Sequence, residues 1–249
     1  MRLLLTGATG VAGLNIYRAA VADPAVDRIT LLVRREMPSW AVLPPNAAAK
    51  TETIIHSDFT SYSLDLVTKI AEHDACIWAQ GKSAIGMNET DYTRLTYEGP
   101  MAMVKALQDA DLASARSADQ PFRFVWLSGT GADTSKQMWA RVKKRTEDEL
   151  AATCEATPGM QAHIIRPGGF RPSSRYPEDS PNQRGRMENV ALSVLAPVLR
   201  FVAPSLMISA EQLSAAALAI AKGLYPTEGL FNNTQLVDIA VKLGVTNKA

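Results

Sequence analysis

The sequence is poor in the residues that build metal centres and covalent scaffolds: 249 residues contain two cysteines, Cys76 and Cys154, and three histidines, His56, His73 and His163. Neither cysteine sits in a CxxC pair or a Cys/His ligand spacing, which excludes a disulfide framework and an ordinary zinc site and fits a reducing, cytoplasmic location. The histidines are scattered, without ligand spacing or a Ser-His-Asp order, so each reads as structural and no metal is expected. An excess of one charge is also missing. Twenty-six Lys and Arg stand against 25 Asp and Glu, giving a formal charge of +1 with no like-charged block, so no nucleic-acid arm is expected and any phosphate binding must be local. Long apolar runs are absent too. The opening MRLLLTGATG has three leucines before a glycine turn, too short for a signal-peptide core. The stretch 190–208 is broken by Pro197, Arg200 and Pro204, whereas a spanning helix needs about 20 mostly apolar residues. No membrane span is expected.

What is present is an ordinary globular mixture, 47% hydrophobic and 20% charged, with enough apolar material for a sizeable core. The length suits a single α/β domain over residues 1–249. Short β-rich runs, Arg2–Thr6, Arg28–Val33, Thr53–Ile55, Ala75–Ala79, Phe122–Leu127 and Ala162–Ile165, alternate with helical patterns. The helices are placed at Val11–Val21, Ser61–Ala71, Gly99–Ala110, Ser135–Thr153, Met187–Phe201 and Glu211–Lys222. Repeated strand–helix units predict a doubly wound parallel sheet, and strands that are apolar without alternation predict helices on both faces. Residues 34–53 and 167–186 read as loops, the second long enough to be a substrate lid. The region from about 167 to 249 is expected to add a small substrate-side extension, with the apolar stripe 187–201 as pocket cover or, alternatively, a homodimer seam.

The segment Gly7-Ala8-Thr9-Gly10-Val11-Ala12-Gly13 follows the first strand directly and opens a helix. Such a turn needs Gly7 for its tight path, Gly10 so that backbone can approach a pyrophosphate, and Gly13 for close helix–strand packing. Free amides at the start of the helix, at Val11 and its neighbours, then favour negative charge. This is the Rossmann dinucleotide-binding arrangement. The second strand ends in Arg34-Arg35, with no carboxylate before Glu36. A guanidinium there suits a 2′-phosphate, so NADP(H) is expected over NAD(H).

The turn resembles the TGxxGxxG turn of extended and atypical short-chain dehydrogenase/reductases, and the resemblance continues along the chain. Asp58-Phe59, in IIHSDF, looks like the family's acidic position at the adenine ring. Ala79-Gln80-Gly81 matches the stretch closing its fourth strand, and Arg166-Pro167-Gly168 its post-strand RPG. Length, VWLSGTGAD and WARVKKRTEDEL are most similar to the NmrA-like, Tat-interacting-protein-like branch.

Active sites of open α/β sheets lie beyond the carboxyl ends of the strands, which places Ser128 on the correct edge, with a hydroxyl suited to a substrate carbonyl. Trp139 and Lys143, four apart, share one helix face and match the family's Tyr-xxx-Lys pair. The resemblance implies that the tyrosine is the proton donor and that the lysine lowers its pKa and holds the nicotinamide ribose. An indole offers no titratable proton near neutrality, so Trp139 cannot inherit that role. Three readings follow. Hydride transfer continues with a proton from solvent, Ser128, Tyr92 or Tyr176; or the pocket runs a cyclisation, isomerisation or elimination; or the chain binds NADP(H) and regulates without turnover. Ser128-Gly129-Thr130-Gly131 is not a G-x-S-x-G elbow, which argues against a hydrolase. The charges from Arg141 to Glu149 read as a solvated helix face with opposite-sign pairs. The leading expectation is an NADP(H)-dependent enzyme. Its small, largely apolar substrate would lie between Ser128, Trp139, the 81–92 loop and the 167–186 loop.

Overall fold

A computed structural model of the chain describes residues 1–111, 116–117, 119–170, 172–183 and 206–246. The leucine run lies in β1 (Arg2–Thr6), and its composition is explained by what it touches: Leu3 and Leu5 face one layer of helices and Leu4 the other. The same holds for β2 (Arg28–Val33), where Ile29, Leu31 and Val33 turn one way and Leu32 the other. The sheet continues through β3 (Thr51–Ile55), β4 (Ala75–Trp78), β5 (Phe122–Leu127), β6 (Met160–Ile165) and β7 (Leu230–Phe231). All seven strands are parallel, in the order β3-β2-β1-β4-β5-β6-β7. Six lie where the apolar runs placed them, with β3 and β6 starting two residues earlier and β4 ending one earlier. The seventh, at two residues, is too short to leave a sequence pattern.

Among the described residues the helices are α1 (Val11–Ala22), α2 (Ala47–Lys50), α3 (Leu64–Ala71), α4 (Glu89–Thr93), α5 (Gly99–Asp109), α6 (Met138–Glu155), α7 (Asp179–Gln183), α8 (Ala210–Ala221) and α9 (Asn233–Lys242). A π-helical turn, Arg94–Glu98, joins α4 to α5. Helices α1, α8 and α9 cover one sheet face with Leu14, Ile16, Leu213, Ala217 and Leu236, and α3, α5 and α6 cover the other with Ile70, Met103, Val104 and Leu150. The expected doubly wound α/β architecture is present. Helix α3 begins at Leu64 rather than Ser61 because Ser63 is its N-cap, accepting from the Leu66 amide at 3.4 Å. Sequence reading missed α9, although Asn232 and Gln235 form a capping box ahead of Leu236 and Ile239. The predicted helix 187–201 lies outside the described residues.

The chain runs outward from β1 to β3, then returns to pair β4 with β1, so the two halves diverge between β1 and β4. In open α/β sheets that reversal leaves a crevice at the carboxyl ends of the strands. Part of the 167–186 loop is strapped across this end. Arg18, on α1, is 4% exposed and makes a two-pronged pair with the fully buried Asp179 of α7, at 2.5 and 3.0 Å. The ring of Tyr176 stacks on the same guanidinium, 3.5 Å from its carbon, and Gln183 reaches the Thr9 carbonyl at 3.4 Å.

Removing one member of a buried, bidentate pair strands the other charge. Asp179→Asn is therefore expected to lower stability by about 3–5 kcal/mol in urea denaturation. A loss under about 1 kcal/mol would show that Arg18 regains water when the strap loosens.

Candidate active site

The first turn of α1 is shaped by two glycines that backbone contact makes obligatory. Gly7 has φ +67°, and a Cβ there would lie 2.5 Å from the Ala79 carbonyl carbon; a Cβ on Gly13 would lie 2.1 Å from the Gly7 oxygen. Strand, turn and helix thus meet at closer range than any side chain permits. Gly10 differs: its added Cβ would meet only the Gly7 oxygen at 3.4 Å, so its open side faces outward from the fold. Gly10 is also the N-cap of α1, with no side-chain cap and no acidic residue in the first turn. The opening amides of a helix have no intrahelical acceptor, so those of Val11, Ala12 and Gly13 present positive potential at the crevice. The Gln80 amide donates to the Thr6 hydroxyl at 3.3 Å, tying the end of β4 beside this cradle, with Ala79 and Gly81 on either side.

The other expected cofactor residues lie along the same edge. Arg34 and Arg35 follow β2 directly, are exposed, and make no ion pair among the described residues. Asp58 follows β3 and is exposed; its carboxylate accepts from the Thr60 amide at 3.0 Å and hydroxyl at 2.6 Å, which holds its pKa below the usual carboxylate range. Phe59 is buried edge-on to Trp78, their centroids 5.6 Å apart. After β6, the Pro167 carbonyl accepts from the Thr130 amide at 3.0 Å. Gly168 is committed to packing within the chain, since a Cβ there would lie 2.1 Å from the Leu206 oxygen. Its amide donates to Asn233 at 2.6 Å.

Beyond β4 and β5 opens a cleft of about 610 Å³, lined by Lys82, Ser83, Ala84, Ile85, Tyr92, Gln137, Met138, Trp139 and Lys143. The predicted Trp139 and Lys143 meet here, on the same face of α6. The half-buried indole donates to Gln137 at 2.7 Å and packs against Gly131, forming a flat wall. Ile85 is 82% exposed at the mouth. Tyr92 is buried, and burial raises its pKa, so its phenol stays protonated. Lys143 Nζ donates to the Ser128 carbonyl at 2.8 Å and sits 5.4 Å from the Trp126 ring centre. Burial pushes its pKa down to about 8, against a smaller opposing pull from Glu147.

One expectation needs correction here, that the charges from Arg141 to Glu149 form a solvated face. The Ser128 hydroxyl, expected at a substrate carbonyl, is 7% exposed and donates to Glu147, whose carboxylate is buried directly beside the end of β5. Glu147 in turn is not part of a solvated face. It is 4% exposed and receives both prongs of Arg166, one at 2.9 Å, while Arg166 also reaches Asp133 at 2.5 Å. Lys144–Asp148 and Arg145–Glu149 do form exposed i,i+4 pairs. Helical spacing carries the missed signal: Glu147 is one turn beyond Lys143 and so shares its inward face. Tyr176, considered as a proton source, lies on the strap with its ring against the Arg18 guanidinium.

Fold and cradle define the class as a Rossmann-type α/β protein. Solved members of the short-chain dehydrogenase/reductase family share this architecture. An oxidoreductase of that family from Burkholderia thailandensis superposes with a TM-score of 0.64 at 14% identity, covering 98% of this chain and 97% of its own. A 3-oxoacyl-[acyl-carrier protein] reductase from Brucella melitensis in complex with NAD gives 0.66 at 16% identity, covering 96% and 97%. No known protein-family signature matches the chain. Among curated proteins, leucinostatins biosynthesis cluster protein T of Purpureocillium lilacinum is 26% identical over 151 residues, 60% of this chain. The chain spans about half of that relative, 51% of its length. Protein fmp52, mitochondrial, of Emericella nidulans is 30% identical over 181 residues, 70% of both chains. The chain belongs to the fmp52 family. Among the described residues, no helix is long and apolar enough to cross a membrane.

The lowered pKa of Lys143 has a measurable consequence. With about 8 in the fold and about 10.4 unfolded, the unfolded chain binds more protons across that window, so stability rises with pH from about 8 to about 10.4. Urea midpoints of the wild type should climb over this range relative to Lys143→Met. Parallel curves for the two proteins would mean that the ammonium is solvated.

Proposed function

We propose that the chain binds NADP(H) along the carboxyl edge of the sheet and acts on a small, largely apolar carbonyl compound held in the Lys143–Trp139 cleft. The observation that carries this reading is the cradle. Gly7 and Gly13 are fixed by backbone contact, whereas Gly10 keeps its open side and uncapped amides free for a pyrophosphate. Arg34 and Arg35, exposed and without ion-pair partners among the described residues, would hold the 2′-phosphate. Phe59 and Asp58 would flank the adenine end, Ala79 to Gly81 would border the nicotinamide half, and Lys143 would reach the ribose. Pro167 and Gly168 would shape the backbone beside it. One relative's name refers to a biosynthesis cluster, and one neighbour is a reductase solved with NAD, which supports the same class.

When bound, the dinucleotide supplies a hydride. The protein's share is binding, orientation and proton supply. Trp139 and Ile85 offer apolar surface to the substrate, and Trp139 stands where the resemblance to the short-chain class leads one to expect a tyrosine. Its indole has no proton to release, but Tyr92 in the same cleft keeps its phenol protonated and takes that role. Ser128, Glu147 and Arg166 act behind the site, holding the carbonyl that positions Lys143. The indole equally suits a non-redox conversion such as an isomerisation. Two free, buried thiols suit a reducing compartment; the name of the fmp52 relative says mitochondrial, which fits them as well as cytoplasm does.

Calorimetry with NADPH and NADH tests the cofactor reading. The double variant Arg34→Glu, Arg35→Glu should weaken NADPH by about 10–100-fold, the value of a charge-assisted contact, and leave NADH almost unchanged. No heat from either nucleotide with the wild-type protein refutes the assignment.

Falling NADPH absorbance with small aldehydes or quinones, slowed by Tyr92→Phe by about 10²-fold or more, supports reduction with Tyr92 as donor. Product formed at constant absorbance selects the isomerase reading instead.

A further inference from the structure

Lys143 is spent on very little inside the fold. Of its three protons, one goes to the Ser128 carbonyl, and the Trp126 ring lies 5.4 Å from its nitrogen. No carboxylate lies within ion-pairing distance among the described residues, because Glu147, the acid facing it from its own helix, is taken by Arg166 and Ser128. From β6, Arg166 faces the cluster already neutralised by Glu147 and Asp133. The loop after β4 brings Lys82, and α4 brings the Tyr92 phenol. Arg141 and Lys144, on the same helix, point away to Glu89 and Asp148. A weakly partnered amine thus fronts an open cleft with a flat apolar wall on one side and a protonated phenol in the same lining.

We propose that Lys143 is a nucleophilic amine that condenses reversibly with aldehydes and ketones entering this cleft. This activity uses the same cleft as the proposed function but does not need a bound dinucleotide. The nitrogen lone pair attacks the carbonyl carbon, forming a C–N bond, while the carbonyl π pair moves to oxygen, which takes a proton from the Tyr92 phenol. Nitrogen then returns a proton to Tyr92. The resulting hydroxyl leaves as water as the second nitrogen proton is transferred, and the nitrogen pair closes the C=N bond. Amine plus carbonyl gives imine plus water, with no oxidant or reductant consumed. Two features support the step. An amine with a pKa of about 8 is neutral in roughly a tenth of molecules at pH 7, against well under a hundredth for a surface lysine near 10.4. The Trp139 face and Ile85 favour an apolar or aromatic carbonyl compound.

The full chain would be incubated briefly with benzaldehyde and cyanoborohydride near neutral pH, digested and mapped by mass spectrometry. Reductive trapping should mark Lys143 at least tenfold faster than any other lysine. Tyr92→Phe, shown folded by circular dichroism, should slow it several-fold, and Lys143→Arg should abolish the fast phase. Labelling spread evenly over surface lysines, or a rate unchanged in Tyr92→Phe, overturns the proposal. Because the mapping is done on wild-type protein, it stands even if a variant fails to fold. Normal NADPH binding without selective trapping sinks this inference alone, whereas selective trapping without NADPH binding keeps it and sinks the dinucleotide reading.

Discussion

Everything at the carboxyl edge depends on one close approach: Gly13 on α1 lies against the Gly7 carbonyl, and Gly7 in turn against Ala79, at distances where a single Cβ would clash. That contact seats the first helix directly on the sheet and aims its uncapped amides into the crevice between β1 and β4. Any larger residue at either position would push the helix outward, moving its positive end away from the place where β4 ends. Gly10, which is under no comparable pressure from within, marks where the fold leaves space for something else.

A second constraint organises the chemistry. Glu147, Arg166, Asp133 and Ser128 form a largely buried polar cluster at the ends of β5 and β6, in which the carboxylate accepts from both neighbours. Buried charges persist only when paired and hydrogen-bonded, so the cluster is rigid by necessity. It fixes the Ser128 carbonyl, and that carbonyl fixes Lys143. The lysine stays the least satisfied member, which is why burial lowers its pKa.

How much of this was legible in the sequence varies with the range of the interaction involved. Strands such as LLLT and ITLLV declared themselves because both sheet faces are covered, and the glycine turn did so because its spacing follows from backbone geometry alone. Glu147 was hidden among charged neighbours: four basic residues from Arg141 to Arg145 are followed by three acidic ones, and the packing of α6 on the sheet separates the buried carboxylate from the solvated Asp148 and Glu149. Ser128 was placed on the correct edge, but its rotamer was set by that same hidden carboxylate. The strap at Asp179 was read as loop because α7 spans five residues and is anchored by a partner 161 positions away.

By itself, then, the sequence determined the layers, the strand positions, the cradle and the pairing of Trp139 with Lys143 on one helix face, since each rests on local periodicity or backbone sterics. The tertiary structure decided which charges are buried, which hydroxyl is already engaged, and which residues share the cleft. Those outcomes depend on desolvation and on contacts between segments far apart in the chain, which a local pattern such as the spacing of Glu147 from Lys143 can point to but does not fix.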